Sequence, residues 1–223
     1  MPFSHVEDLL AVLDAIEAER AWLVGSSMGG GVALDAALVA PDRVSGLVLL
    51  APAVSGAPEP ELGPEIQSFD ERISRAFAAG DRDEVNRLET WLWLDGPAGP
   101  EGRVGGEARE LALEMNATIL RHDVSEDAGL SGVDAWTRLE EVEVPTTVAC
   151  GDRDLSFLVS RSQELAQRLP QGRYRVLEDS AHLPFLEDPG TVASLVEEAI
   201  HIGPVMDVPE GQRPPTAEGE RHR

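Results

Sequence analysis

The chain has 223 residues, 42% of them apolar, and its 41 acidic against 18 basic side chains give a formal charge of −23. That length suffices for one sizeable hydrophobic core, or one core with a small lid. The charge repels phosphate backbones and anionic lipid heads, which are bound through clustered cations, so nucleic acid and membranes are excluded as partners.

No run of eighteen apolar residues and no basic-then-apolar leader occurs, so a cytoplasmic protein is expected. The lone Cys150 excludes an internal disulfide and reads as a small buried hydrophobe. Every basic residue is Arg and none is Lys, which removes Schiff-base and Ser-Lys chemistry. A nucleophilic serine would need a histidine as its base.

In chain order, "SHVEDLLAVLDAIEAE" opens with Ser4 three residues before Glu7, a capping box, and continues with apolar residues at helical spacing. "AWLVG" predicts a short buried strand ending at Gly25. The glycines and alanines from Met28 to Ala40 predict a helix packed closely on a sheet, stopped by Pro41. "RVSGLVLLAP" follows as a second strand with almost no alternation, the mark of a sheet covered on both faces.

From about Ala57 to Glu140 no strand is evident. Three helical stretches, "GPEIQSFDERISRAFAAG", "DRDEVNRLETWLWL" and "GGEARELALEMNATILRH", are separated by Gly and Pro and read as a helical insertion over one end of the sheet. Strand and helix then alternate again through "VPTTVACG", "SFLVSRSQELAQRL", "GRYRVLE" and "DPGTVASLVEEAIHI". Such alternation predicts an α/β fold with a parallel sheet. The residues from about Gly203 are rich in Pro, Gly and Glu and are expected to be a disordered tail. The expected division is a core of residues 1–56 and 140–202, a helical cap of residues 57–139 and a tail of residues 203–223.

"WLVGSSMGGG" places two serines at a strand-to-helix junction. A nucleophile held at so tight a turn needs small residues two positions before and after it. Ser27 has Gly25 and Gly29 there, whereas Ser26 has Val24 and Met28. Of the five histidines, only His182, in "EDSAHLPFLEDP", falls just beyond a predicted sheet strand. "ACGDRDLSF" offers Asp152 and Asp154 after another strand, and either could orient that histidine. Ser, Asp and His therefore follow one another at three strand ends.

With "GSSMGG", "PDRVSGLVLLAP", "GDRD" and "DSAHLPFLEDP" in this order, the chain resembles the α/β-hydrolase superfamily of esterases, enol-lactonases, C–C bond hydrolases and non-haem peroxidases, from about Ser4 to Ile202. The elbow and the helical insertion are similar to those of 3-oxoadipate enol-lactonase-like sequences. The resemblance implies a serine hydrolase that cleaves a carboxylic ester, lactone or related acyl bond through an acyl-serine, with Ser27, Asp154 and His182 as the triad. It favours Asp154 because the acid in that family is usually the fourth residue of a Gly-x-x-Asp turn. It also implies that the backbone N–H of Met28 donates to the oxyanion, and serine at the elbow disfavours the haloalkane dehalogenases and epoxide hydrolases, which carry Asp there. Trp91, Trp93, Phe69, Phe77 and Met115 are candidates for an apolar lid over the substrate pocket.

The expected partner is a small-molecule acyl substrate, with no cofactor and no metal. His122 beside Asp123 lacks a further ligand, and the acceptor pattern Asn116-Ala117-Thr118 reads as chance. The family has further strands before the elbow, and the loop after its third strand supplies a second oxyanion donor; only one helix precedes "AWLVG" here. On that reading the chain is an N-terminally incomplete hydrolase whose elbow strand has an open edge that invites self-association. The alternative is a truncated, catalytically weak homologue that acts by association with a partner chain.

Overall fold

The computed structural model describes residues 4–122 and 132–202. Four parallel strands form one sheet whose spatial order is the order of the chain: β1 (Ala21–Ser26), β2 (Val44–Leu50), β3 (Thr146–Gly151) and β4 (Gly172–Leu177). The helix α1 (His5–Ala15) begins where Ser4 Oγ accepts the Glu7 N–H at 3.3 Å. It buries Val6 and Leu13.

The crossover helices α2 (Met28–Val39) and α6 (Ser156–Arg168) share one core with α1 on one face of the sheet, around Leu34, Leu47, Leu49, Val148 and Leu165. On the opposite face α8 (Pro189–Ile202) packs Leu195 and Ala199 against Val48, Leu50 and Leu177. Burial on both faces explains why β2 shows almost no alternation; β3 is buried along its whole length too, although it opens with Thr146 and Thr147. The elbow strand departs from expectation. In β1, Leu23 and Gly25 are buried, but Val24 is 49% exposed. β1 stands at an edge of the sheet, where α2 covers only one of its faces, so alternate residues face outward.

Between β2 and β3 lie α3 (Pro64–Ala78), α4 (Arg82–Thr90), a π-helical turn over Trp91–Asp95, and α5 (Gly106–Ile119). The π turn widens the end of a helix that the sequence predicts as uniform. The segment returns to the sheet through a buried polar stitch: Ser55 Oγ donates to Asp35 Oδ1 at 2.8 Å and accepts the Ala135 N–H at 3.0 Å. A short helix, α7 (Pro184–Glu187), follows the loop after β4 and was not evident in the sequence. No helix among the described residues is long and apolar enough to cross a membrane. The predicted tail and Asp123 lie outside the described residues.

Candidate active site

Ser27 sits between β1 and α2 with φ 51° and ψ −118°, a backbone conformation that a side chain rarely adopts. Hydrogen bonds hold it there. Its N–H donates to Leu50 O at 2.8 Å, and its carbonyl accepts from Ala53 N at 2.9 Å and Gly31 N at 3.1 Å.

The glycines that permit the turn are not quite those expected. A Cβ on Gly25 would lie 2.3 Å from Gly29 O, so Gly25 is required. A Cβ on Gly29 would meet nothing within 4 Å. The second tight position is Gly30, where a Cβ would lie 2.8 Å from Pro52 Cβ. The segment just after β2 sets that requirement together with the elbow, since the same Cβ would also lie 3.1 Å from Gly25 O.

His182 follows β4 and is 7% exposed. Its Nδ1 lies 2.8 Å from Asp154 Oδ2. A carboxylate only accepts, so Nδ1 carries the proton and Nε2 is left as the acceptor. Asp154 is itself fixed: Oδ1 accepts the Leu155 N–H at 2.7 Å, and Cys150 Sγ donates to Oδ2 at 3.6 Å. Burial, reinforced by the charge of Asp154, pushes the Cys150 thiol up to about 12, which keeps it a neutral donor. Asp152 is exposed, and its N–H is spent on Leu177 O. Of the two aspartates in the turn, Asp154 is the one that reaches the histidine.

The insertion ends its helix on the histidine loop. The last carbonyls of a helix have no partners within it. Here Trp93 O accepts the His182 N–H at 3.1 Å, while Leu94 O and Asp95 O accept from Arg103 at 2.7 and 2.9 Å. Arg103 also donates to Asp179 O and pairs with Glu187, whose other oxygen accepts the Ala181 N–H at 2.8 Å. Asp95 is wholly buried and pairs with Arg109 at 2.8 Å.

Ser27 and His182 line one cavity of about 330 Å³, roofed by α4, the π turn and α5 and walled by Leu183, Phe185 and Leu186 after the histidine. Trp93 lines it and packs against His182 with ring centroids 4.7 Å apart and planes tilted by 45°. Met115 lines it too.

Trp91 does not. Both tryptophans pack against the interior cluster of Phe69 and Leu92, but Trp91 meets Phe69 edge-on at 5.1 Å and donates to Gly99 O at 2.9 Å. Phe69 is therefore core, and Phe77 is 73% exposed away from the cavity. Met28 is the first residue of α2, so its N–H has no acceptor within the helix, and its side chain is half exposed.

Sequence reasoning missed Glu89, Thr90 and Asn116, which also line the cavity. The signal for Asn116 lay in the spacing of Ala112, Met115, Asn116 and Ile119, one face of a helix. Its amide donates to Asn86 Oδ1 and Glu89 Oε2.

Comparison with known proteins agrees with this architecture. The family model for the alpha/beta hydrolase fold matches residues 2–189. A pimeloyl-acyl-carrier-protein methyl ester esterase of Neisseria meningitidis is 28% identical over 95% of this chain and 67% of its own length. Among solved structures, Est816, described as an N-acyl homoserine lactone degrading enzyme, is 28% identical with a TM-score of 0.62, over 87% of this chain and 73% of that one. A hydrolase from Pseudomonas aeruginosa is also 28% identical, with a TM-score of 0.64 over 90% of this chain and 73% of its own. The elbow, the carboxylate–imidazole pair and the match over most of its length lead to one conclusion: the chain belongs to the alpha/beta hydrolase fold family and is a hydrolase of that fold.

Proposed function

We propose that the protein is a serine hydrolase that cleaves a carboxylic ester or lactone through an acyl-serine intermediate, with residues 57–139 as a cap over the site. The observation that carries this reading is the pairing of functions around one cavity: Ser27 and His182 line it, and the far nitrogen of His182 is held by Asp154. An esterase and an enzyme that degrades N-acyl homoserine lactones are among its relatives, which supports an ester or lactone as substrate.

In the mechanism, Ser27 Oγ attacks the substrate carbonyl carbon as His182 Nε2 takes its proton. The imidazolium that forms is stabilised by Asp154 across the 2.8 Å contact. The negative oxygen of the tetrahedral intermediate takes a hydrogen bond from the Met28 N–H, at the positive end of α2. Collapse breaks the C–O bond, and His182 gives its proton to the leaving alkoxide, which departs as the alcohol or stays tethered as the opened lactone. Water then attacks the acyl-serine, His182 accepts its proton, and a second collapse returns that proton to Ser27 Oγ and releases the acid.

The test is covalent labelling with a fluorophosphonate, which needs an activated serine. Wild type should be labelled at Ser27, and Ser27→Ala should not be labelled at all. Equal labelling of the two would remove Ser27 from the role. Hydrolysis of p-nitrophenyl esters by wild type, lost in His182→Ala, completes the assignment.

A further inference from the structure

The roof of the cavity carries a hydroxyl that the protein leaves unused. Thr90 ends α4, is 3% exposed and lines the wall that it shares with Ser27 and His182, while its Oγ1 is covered and has no hydrogen-bond partner among the described residues. A helical threonine ordinarily returns its hydroxyl to the carbonyl four residues back. Thr118 of α5 does so, donating to Glu114 O at 2.9 Å. Thr90 does not, and an unpaired buried hydroxyl is costly unless something arrives to pair with it.

The charge of the same wall is one-sided. Glu89 lines the cavity, its carboxylate accepting from Asn116 Nδ2 at 2.8 Å, and no arginine is among the lining residues. An acyl chain ending in a carboxylate would bring a second negative charge into this partly dry space. The remaining surface is apolar, from Trp93, Met115 and Phe185.

We propose that this wall is the acyl-recognition subsite, selecting an uncharged ester or lactone whose apolar acyl chain carries a neutral hydrogen-bonding group that pairs with Thr90 Oγ1 as the threonine side chain turns that covered hydroxyl into the cavity. Chains ending in a free carboxylate are rejected by Glu89. The turnover part of this inference rests on the serine-hydrolase reading above, and the binding part does not.

The experiment compares, over a range of chain lengths, p-nitrophenyl esters whose acyl chains end in methyl, carboxamide or carboxylate. Within each protein only ratios of kcat/KM are read, so the fraction of active enzyme cancels. The carboxamide-to-methyl ratio should fall about threefold to tenfold in the isosteric Thr90→Val and return in Thr90→Ser. The carboxylate-to-methyl ratio should rise about tenfold in Glu89→Gln, an arm that holds even where Thr90→Val does not fold. Binding of the corresponding methyl esters to Ser27→Ala, followed by tryptophan fluorescence with Trp93 in the cavity wall, should show the same pattern. Turnover with ratios unmoved by either substitution overturns the subsite and keeps the hydrolase. Absent turnover with the binding pattern intact overturns the hydrolase reading and keeps the subsite.

Discussion

Arg103 and Glu187, 84 residues apart in sequence, form the ion pair that fastens the helical insertion to the loop of His182. Both side chains are largely removed from water, at 18% and 5% exposure, and breaking such a pair from one side leaves the other charge stranded. Arg103→Ala should lose about 3 kcal/mol in urea unfolding, with Arg103→Lys recovering part of it. Because the insertion and the histidine loop meet there, kcat should fall as well. Burial already raises the Glu187 carboxyl above its usual range, with Arg103 opposing that rise. Removing Arg103 leaves burial unopposed, so the loss should be greatest near neutrality and shrink as acid protonates Glu187. An unfolding midpoint that stays put in Arg103→Ala at pH 7 would contradict this account.

Asp154 and Asp152 occupy one turn but different environments. Asp154→Asn should lower kcat by about 10⁴, because an amide no longer fixes the tautomer of His182. Asp152→Asn, at an exposed position, should stay close to wild type. Steady-state hydrolysis of a p-nitrophenyl ester by the two variants decides between them, and a crippled Asp152→Asn with a healthy Asp154→Asn would reverse the roles.

Cys150 provides a pH test of burial. Its thiol is held to about 12 in the folded chain, and an unfolded cysteine ionises near 8.5. The folded state thus keeps a proton that the unfolded state gives up. The associated stability is complete below about pH 8.5 and declines as pH rises toward 12, by roughly 2 kcal/mol at pH 10. Cys150→Ala should flatten that alkaline decline. Native protein should also resist thiol reagents at pH 8 and react on unfolding, whereas rapid reaction of the native state would show the thiol to be accessible.

The elbow makes an unequal pair of glycines testable. Gly25→Ala drives a methyl group onto the backbone of α2 and should cost upward of about 4 kcal/mol, enough to leave the protein insoluble or unfolded. Gly29→Ala enters open space in the first turn of a helix and should be neutral or stabilising by up to about 1 kcal/mol. Thermal unfolding of both variants is the measurement, and similar midpoints would mean that the close approach at Gly25 is not real.

The parts of the fold visible in the sequence were those whose physics is local. β2 is covered on both faces and so appears as a nearly continuous apolar run, and α1 declares its start through Ser4 and Glu7. Ser27, Asp154 and His182 were readable as candidates because each follows a strand. Which aspartate reaches His182 was not readable from the residues alone, since two residues of one turn differ only in where they point; the resemblance favoured Asp154, and Asp154 is the one that makes the contact. The cavity lining was half legible: Trp91 and Trp93 look equivalent in the sequence and pack against one cluster, yet only Trp93 lines the cavity. Arg103, among Gly and Pro residues, reads as a solvated loop cation; its guanidinium finds its partners only when Leu94 O, Asp95 O, Asp179 O and the Glu187 carboxylate converge. Thr90 gave no signal, because an unsatisfied hydroxyl is a property of its surroundings.

The carbonyl that receives the His182 N–H belongs to Trp93, on the roof of the cavity and not in the sheet. That proton is shielded while roof and floor are closed on each other, and bared when they part. Isotope exchange at this one amide therefore times the opening of the chamber, read at the very residue that would take the proton from Ser27. A ligand that clamps the roof down should slow that clock, whatever its effect on the rest of the molecule.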